Sequence, residues 1–275
     1  MAKLDGKIAL VSGAGRGIGQ AIATKLAAEG AQLVVNDLDP EPAEETCRVV
    51  ERAGGTAIPV VGSVTEPDFG ERFVQAALDE YGRIDIIVNN AGYTWDSVVQ
   101  KMSDEQWYAM IDVHLTAPFR ILRAAAPYLR EAAKTEAAAG TPVTRKVVNI
   151  SSIAGLGGNA GQAGYASGKA GVVGLTKTLA KEWGRYNVTV NSLAFGLIKT
   201  RLTDTPAGGD STISIEDREI KVGINTQLMA AMEGGIPLGR AGTPTDAANG
   251  VYLLCIPESD YISGEVLVCS GGMSI

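Results

Sequence analysis

Histidine is nearly absent from this sequence, with one residue, His114, in 275. Cysteine is sparse and odd in number: Cys47, Cys255 and Cys269 lie far apart. These scarcities exclude a disulfide framework and a Cys/His metal cluster, so no metal site is expected, and they fit a reducing compartment. Serine-hydrolase chemistry fits poorly too. The single histidine would have to be its base, and no Gly-x-Ser-x-Gly turn is present. Long apolar runs are missing, so no bilayer-spanning helix is expected. Met1 to Lys7 is charged and leads straight into a strand-like run. With no signal-peptide core there, a cytoplasmic location is expected. Positive charge is also short. A net charge of −7 and a pI of about 4.9 repel phosphate backbones and anionic membranes, so neither is expected as a partner.

Apolar residues make up 45% of the chain, enough for a sizeable core. The length is within reach of one α/β domain, and neither a linker nor an internal repeat divides residues 1–275. Short apolar runs read as strands at Ile8–Val11, Gln32–Asn36, Thr56–Val61, Ile84–Asn89, Lys146–Ile150, Val188–Leu193 and Val266–Cys269. Helical periodicity falls between them, at Ala21–Glu29, Glu41–Arg52, Pro67–Tyr81, Ser103–Lys134 and Gly164–Tyr186. Strands that are apolar throughout and alternate with helices predict a doubly wound parallel sheet, a Rossmann-type α/β fold. Glu136–Arg145 reads as a surface extension of the long helix. Asp204–Gly235, rich in Gly, Thr and charge, reads as a substrate lid inserted after the sixth strand. Its centre, Glu216–Met232, is expected to form one or two helices.

The first strand leads into a helix through Ser12-Gly13-Ala14-Gly15-Arg16-Gly17-Ile18-Gly19. Glycines allow a tight turn and close approach of backbone to a pyrophosphate, and the helix N-terminus adds free N–H donors. GxGxxG does not fit, because Ile18 falls where its last glycine would be; GxxxGxG does, at Gly13, Gly17 and Gly19. Eighteen residues beyond Gly19, Asp37 ends the second strand. A carboxylate there accepts hydrogen bonds from an adenosine ribose and repels a 2′-phosphate, which favours NAD over NADP. Arg16 argues the other way, since it is able to reach such a phosphate, and Asp37 is equally readable as a solvated turn acid.

Tyr165 and Lys169 are four residues apart in a helical segment and share one face. Ser152 stands thirteen residues before Tyr165, just past a strand's carboxyl end, where ligand chemistry in such sheets is placed. A phenol beside an ammonium is a suitable proton donor and acceptor for a substrate oxygen, with a hydroxyl to hold that oxygen. A Tyr and a Lys at this spacing are common on helices; only the combination with the glycine turn is specific.

That combination resembles the short-chain dehydrogenase/reductase family. The matching pieces are Gly13/Gly17/Gly19, Asn89-Asn90-Ala91-Gly92, Ser152, Tyr165-x-x-x-Lys169, and Asn191–Thr200 after the sixth strand. The resemblance implies catalysis by Ser152, Tyr165 and Lys169. It implies a nicotinamide cofactor near Gly13, Arg16, Gly17, Ile18, Gly19 and Asp37. Ser63, Val64, Asn90, Ile198 and Thr200, with Tyr165 and Lys169, complete that expected site. It further implies a homo-oligomer, a tetramer first.

Two positions depart from the family pattern. His114, in Asp112-Val113-His114-Leu115, stands where the family usually has a catalytic Asn and is expected to take its catalytic place in proton transfer, adding a titration near neutrality, and Phe195-Gly196 replaces Pro-Gly. Met102–Leu115 with Gly158–Tyr165 is similar to the D-3-hydroxyacyl-CoA dehydrogenase part of multifunctional enzymes and to bacterial 3-oxoacyl-thioester reductases. Ser63-Val64 in place of Asp-Val points to the same group. The expected substrate is therefore a small molecule, first a 3-hydroxyacyl or 3-oxoacyl thioester, then a free cyclic or small secondary alcohol. A catalytically weak NAD-binding sensor is the alternative of another class; intact Ser152, Tyr165 and Lys169 argue against it.

Overall fold

A computed structural model describes residues 2–201, 203, 211–216, 218–223 and 226–273. β1 (Ile8–Val11) leads into α1 (Gly17–Ala28), β2 (Gln32–Asp37) into α2 (Pro40–Arg52), and β3 (Ala57–Val61) into α3 (Phe69–Tyr81). β4 (Ile86–Asn89) leads into α4 (Asp104–Ile111), and a π-helical turn, Asp112–Thr116, joins α4 to α5 (Ala117–Ala138). β5 (Arg145–Ser152) is followed by α6 (Ile153–Gly157) and α7 (Ala163–Trp183). After β6 (Val188–Phe195) come a separate hairpin, β7 (Ser211–Ile215) and β8 (Arg218–Val222), then α8 (Thr226–Gly234), α9 (Pro244–Cys255) and β9 (Val266–Cys269).

Seven strands form one parallel sheet in the order β3-β2-β1-β4-β5-β6-β9. Strand order reverses between β1 and β4, so the carboxyl edge opens a crevice there. The crossovers put helices on both faces, and each face has its own apolar core. One side buries Ile22 and Leu26 of α1 with Val251 and Leu254 of α9. The other buries Phe69 and Phe73 of α3 with Ile121 and Leu129 of α5. Covered on both faces, the inner strands are deeply buried, with β1, β4 and β6 buried at every residue. Among the described residues no helix is long and apolar enough to cross a membrane.

Three local expectations need correction. The long helical stretch expected over Ser103–Lys134 is present from Asp104 on, but with a π turn between α4 and α5 in place of one regular helix. Pro118 explains the site of that turn, because it has no N–H to give the carbonyl four residues back, that of His114. Glu136–Arg145 is only partly a helical extension. α5 stops at Ala138, and Arg145 is already in β5, where its guanidinium holds both oxygens of Glu136, at 2.9 and 2.6 Å. Finally, of the helices expected over Glu216–Met232 only the second part is helical, as α8; the first part is the β8 strand of a hairpin. Ile213, Ile215, Ile220 and Val222 alternate with polar residues at period two, a strand pattern. The cross-strand pair Ile213 and Ile220 is buried in the second core. Within the expected lid, residues 204–210, 217 and 224–225 lie outside the described residues.

Candidate active site

The glycine turn between β1 and α1 is built by contacts from three neighbouring strands. Asn36 Oδ1, at the end of β2, accepts from the Gly13 N–H at 3.1 Å, while its Nδ2 donates to the carbonyls of Val60 and Gly62 at 3.0 Å. Asn90, just past β4, donates through Nδ2 to the carbonyls of Ser12 and Gly13, both at 3.0 Å. The Ser12 hydroxyl accepts from the N–H groups of Asn90 and Ala91. The glycines serve different ends. A Cβ at Gly13 would sit 2.6 Å from the Ala91 Cα, and one at Gly19 would sit 2.0 Å from the Gly13 carbonyl oxygen. Both are steric necessities of the turn. Gly17 instead has φ +55°, and a Cβ there would meet only Thr200, at 3.9 Å. That side of the turn is bare backbone.

A dinucleotide fits this edge. No side chain caps the first turn of α1, so its N–H donors face the bare side of the turn, where an anionic pyrophosphate suits both the donors and the helix dipole. Asp37 stands at the end of β2, with one carboxylate oxygen accepting from the Gly15 N–H at 2.9 Å and the other from the Asp39 N–H at 3.2 Å. The carboxylate is thus oriented beside the turn. Arg16 is turned away to an exposed ion pair with Asp39, at 2.9 Å. Ile18 packs against the first core, where Ile198 is buried, and a β-bridge ties Ile198 to Gly242. Val64 is buried, while the Ser63 hydroxyl donates to the carboxylate of Glu216 in the hairpin.

The chemical group lies at the ends of β5 and α7. Ser152 ends β5 and caps α6, its hydroxyl accepting from the Ala154 N–H at 3.2 Å. Tyr165 and Lys169 are one turn apart on α7, with the Lys169 ammonium 5.7 Å from the phenol ring centre. Lys169 is buried and donates to the Ile150 carbonyl at 2.8 Å. Tyr165 is partly covered by protein. That surrounding pushes its pKa up to about 12, against the pull of a hydrogen bond with Ser152. Burial pulls Lys169 down to about 7. Ser152, Tyr165 and Lys169 are therefore brought together as the spacing predicts.

His114 joins them from the π turn. Its ring stands edge-on to the Tyr165 ring, centres 4.9 Å apart at 87°. Nε2 lies 2.8 Å from the Tyr93 carbonyl, which only accepts, so Nε2 carries the hydrogen. Nδ1 is then a bare acceptor, buried, with no partner among the described residues. Burial holds the pKa of His114 well below the ordinary histidine value, and the Lys169 charge adds to the effect. The imidazole is neutral at physiological pH. Its surroundings thus work against the near-neutral inflection that a histidine in place of the family's Asn leads one to expect.

Asn36, Ser12 and Glu216 were missed as site residues from sequence. Asn36 reads there as part of an Asn/Asp/Pro turn. Its signal was a polar residue inside an apolar strand, which demands buried partners. Glu216 offered no signal, because its place depends on how the hairpin docks.

The family model described as short chain dehydrogenase matches residues 7–207. The chain is 34% identical to the 3-oxoacyl-[acyl-carrier-protein] reductase FabG of Thermotoga maritima, over 99% of this chain and 100% of the relative. It is 36% identical to the protein of that name from Vibrio cholerae, and 37% identical to that from Vibrio harveyi, over 98% of each chain in both cases.

The buried Lys169 makes stability depend on pH. Its folded pKa, about 7, is below the value of about 10.5 for a free side chain, so the unfolded chain holds more protons between them. Stability contributed at this site is present above the unfolded value and is lost as pH falls towards 7. Lys169→Met should therefore gain stability over the unaltered chain as pH is lowered from 9.5 to 7.5 (about one to three units below the free-lysine pKa). Urea melts across that range check it, and a pH-independent difference would refute it.

Proposed function

The chain belongs to the short-chain dehydrogenase family, and from that premise we propose that it is a nicotinamide-dependent oxidoreductase of 3-hydroxyacyl/3-oxoacyl thioesters. The observation that carries the reading is the convergence of Ser152 at the end of β5 with Tyr165 and, one helical turn on, the buried Lys169, whose ammonium is 5.7 Å from the phenol ring centre. The relatives' names supply the thioester class. Free secondary alcohols are the competing substrates.

The residues have distinct tasks. Ser152 Oγ hydrogen-bonds the substrate oxygen and orients it towards Tyr165. In the reducing direction Tyr165 Oη gives its proton to the carbonyl oxygen; in the oxidising direction the tyrosinate takes the proton of the alcohol. The nicotinamide, when bound, supplies or accepts the hydride. Protein surroundings alone put Tyr165 at about 12, so a nearby positive charge is needed for the tyrosinate to form near neutrality. Lys169, held by the carbonyl of Ile150 and itself at about 7, supplies part of that charge, and the ring cation of a bound oxidised nicotinamide would supply the rest. His114 is a positioning residue. It ties the loop after β4, through Tyr93, to the ring of Tyr165, and its neutral form adds no repulsion to Lys169.

Gly13, Gly17, Ile18 and Gly19 hold the pyrophosphate, Asp37 the adenosine ribose, and Asn90 keeps the turn closed. Val64, Ile198 and Thr200 line the rest of the cofactor cleft. NAD is the preferred form: Asp37 opposes a 2′-phosphate, and Arg16 is engaged with Asp39. Residues 204–235 act as a substrate lid within one catalytic domain. The chain assembles as a homo-oligomer, a tetramer first, with support from exposed Leu253, Leu267, Val268 and Tyr261 on and around α9 and β9.

A panel of 3-hydroxyacyl thioesters and simple secondary alcohols, followed by reduced-nicotinamide absorbance, tests the reading; preference for the thioesters is expected. Tyr165→Phe should lower kcat at least about a hundredfold, the range for losing a positioned acid/base, with cofactor binding retained. His114→Ala should lower kcat while His114→Asn retains most of it, with no change of pH profile near neutrality in either. Normal turnover by Tyr165→Phe would refute the assignment. For the cofactor, kcat/KM with NAD should exceed that with NADP by at least about tenfold, since like charges brought together cost several kcal/mol. Asp37→Ala should narrow the gap; a preference of the unaltered chain for NADP would overturn it.

A further inference from the structure

The β7–β8 hairpin ends far from the strand it follows. It leaves the sheet after β6, yet its tip reaches the carboxyl end of β3. The order β3-β2-β1-β4-β5-β6 puts five strand spacings between them, about 24 Å. The hairpin is docked along the way. Ile213 and Ile220 are buried on one face, and Arg218 ion-pairs with Glu105 of α4 at 2.9 Å while lying 5.7 Å above the Trp95 ring. At the tip Glu216 takes a left-handed backbone, φ +48°. Its Oε1 accepts from the hydroxyls of Ser63 and Thr65, the latter at 3.1 Å, and its Oε2 accepts from Arg218 at 3.0 Å.

This placement matters if the edge holds a dinucleotide, and the inference rests on that reading. With pyrophosphate at Gly17 and ribose at Asp37, the base lies beyond β2. The next strand outward is β3, whose end is joined to β2 where the Gly62 N–H donates to the Asp37 carbonyl at 3.1 Å. Ser63 and Thr65 follow directly. Both hydroxyls are spent on Glu216, so the group presented there is a carboxylate, an acceptor with no proton to give. Two oxygens offer about four acceptor positions. Ser63, Thr65 and Arg218 use three of them. The donor on that half of a dinucleotide, apart from ribose hydroxyls, is the exocyclic amine of adenine.

We propose that Glu216, at the hairpin tip, completes the adenosine end of the cofactor site and recognises the amine of adenine. Docking of the hairpin then contributes to cofactor affinity. Because the contact is acceptor-to-donor, it also selects. Hypoxanthine carries a carbonyl oxygen where adenine carries the amine, and two acceptors facing each other repel.

Calorimetric titration of the whole chain with AMP and with IMP tests this without turnover. AMP should bind at least about tenfold more tightly than IMP, the scale of one charge-assisted hydrogen bond gained against one acceptor clash. In Glu216→Gln the amide is able to turn its NH₂ to the hypoxanthine oxygen, so the ratio should fall to about threefold or less. Nicotinamide mononucleotide serves as the control, and its binding should be unchanged in the variant. An AMP/IMP ratio that Glu216→Gln leaves as it was would overturn the inference alone. Tighter AMP binding by the variant would also overturn it, marking Glu216 as a plug that the base must displace. No AMP binding by the unaltered chain would overturn the dinucleotide reading and this inference with it.

Discussion

Three buried polar contacts fasten α7 to β5, and the site depends on them. The Asn149 side chain donates to the Thr176 hydroxyl at 2.9 Å, the Ser151 hydroxyl donates to the Lys169 carbonyl at 2.8 Å, and the Lys169 ammonium donates to the Ile150 carbonyl at 2.8 Å. Apolar packing alone lets a helix slide on a sheet at little cost. Buried hydrogen bonds do not, because a slipped register leaves each partner unpaired at a cost of about 1–3 kcal/mol. The ties lock Tyr165 on the helix opposite Ser152 on the strand. They also strip Lys169 of water, which is why its pKa falls towards neutrality.

The same logic extends outward from that pair. Asn89 of β4 donates to Asn149 of β5 at 2.7 Å, so the strand that carries Ser152 is tied to the strand that leads into Asn90. Asn90 in turn closes the glycine turn. A chain of buried amides and hydroxyls therefore runs from α7 to the turn. The π turn adds His114 from the opposite side, and close approach is steric there. A Cβ at Gly168 would sit 2.9 Å from the His114 Cβ, and one at Gly92 would sit 2.3 Å from His114 Cε1. Glycines on α7 and after β4 are what let the imidazole reach the phenol.

Much of this was legible in the sequence, for identifiable reasons. Strands covered on both faces carry short apolar runs, so all seven strands of the sheet stood out, with ends displaced by two residues at most. The Tyr165/Lys169 spacing and the glycine turn are local patterns, and local geometry places them correctly. α9 escaped notice although its signal was present: Thr243-Pro244-Thr245-Asp246 forms a capping box with proline in the first turn. The hairpin was misread because Thr, Ser and charged residues between its isoleucines hide a period of two. The π turn follows from Pro118, but only once α4 and α5 are seen to be continuous. Ionisation was the least legible property. His114 reads as a near-neutral titrating group until its burial beside Lys169 is known, and Glu216 gains meaning only through docking across five strand spacings.

The central claim is that positive charge, from Lys169 and from a bound oxidised nicotinamide, brings a partly buried phenol into use as an acid/base. An ultraviolet difference titration of tyrosine ionisation, made with and without NAD⁺, tests it most directly. Without the dinucleotide, Tyr165 should stay protonated until about pH 12. With it, one tyrosine should ionise several pH units lower, and the Tyr165→Phe protein should lack that step. A titration that NAD⁺ leaves unchanged, or a low-pH step that survives in Tyr165→Phe, would contradict the account.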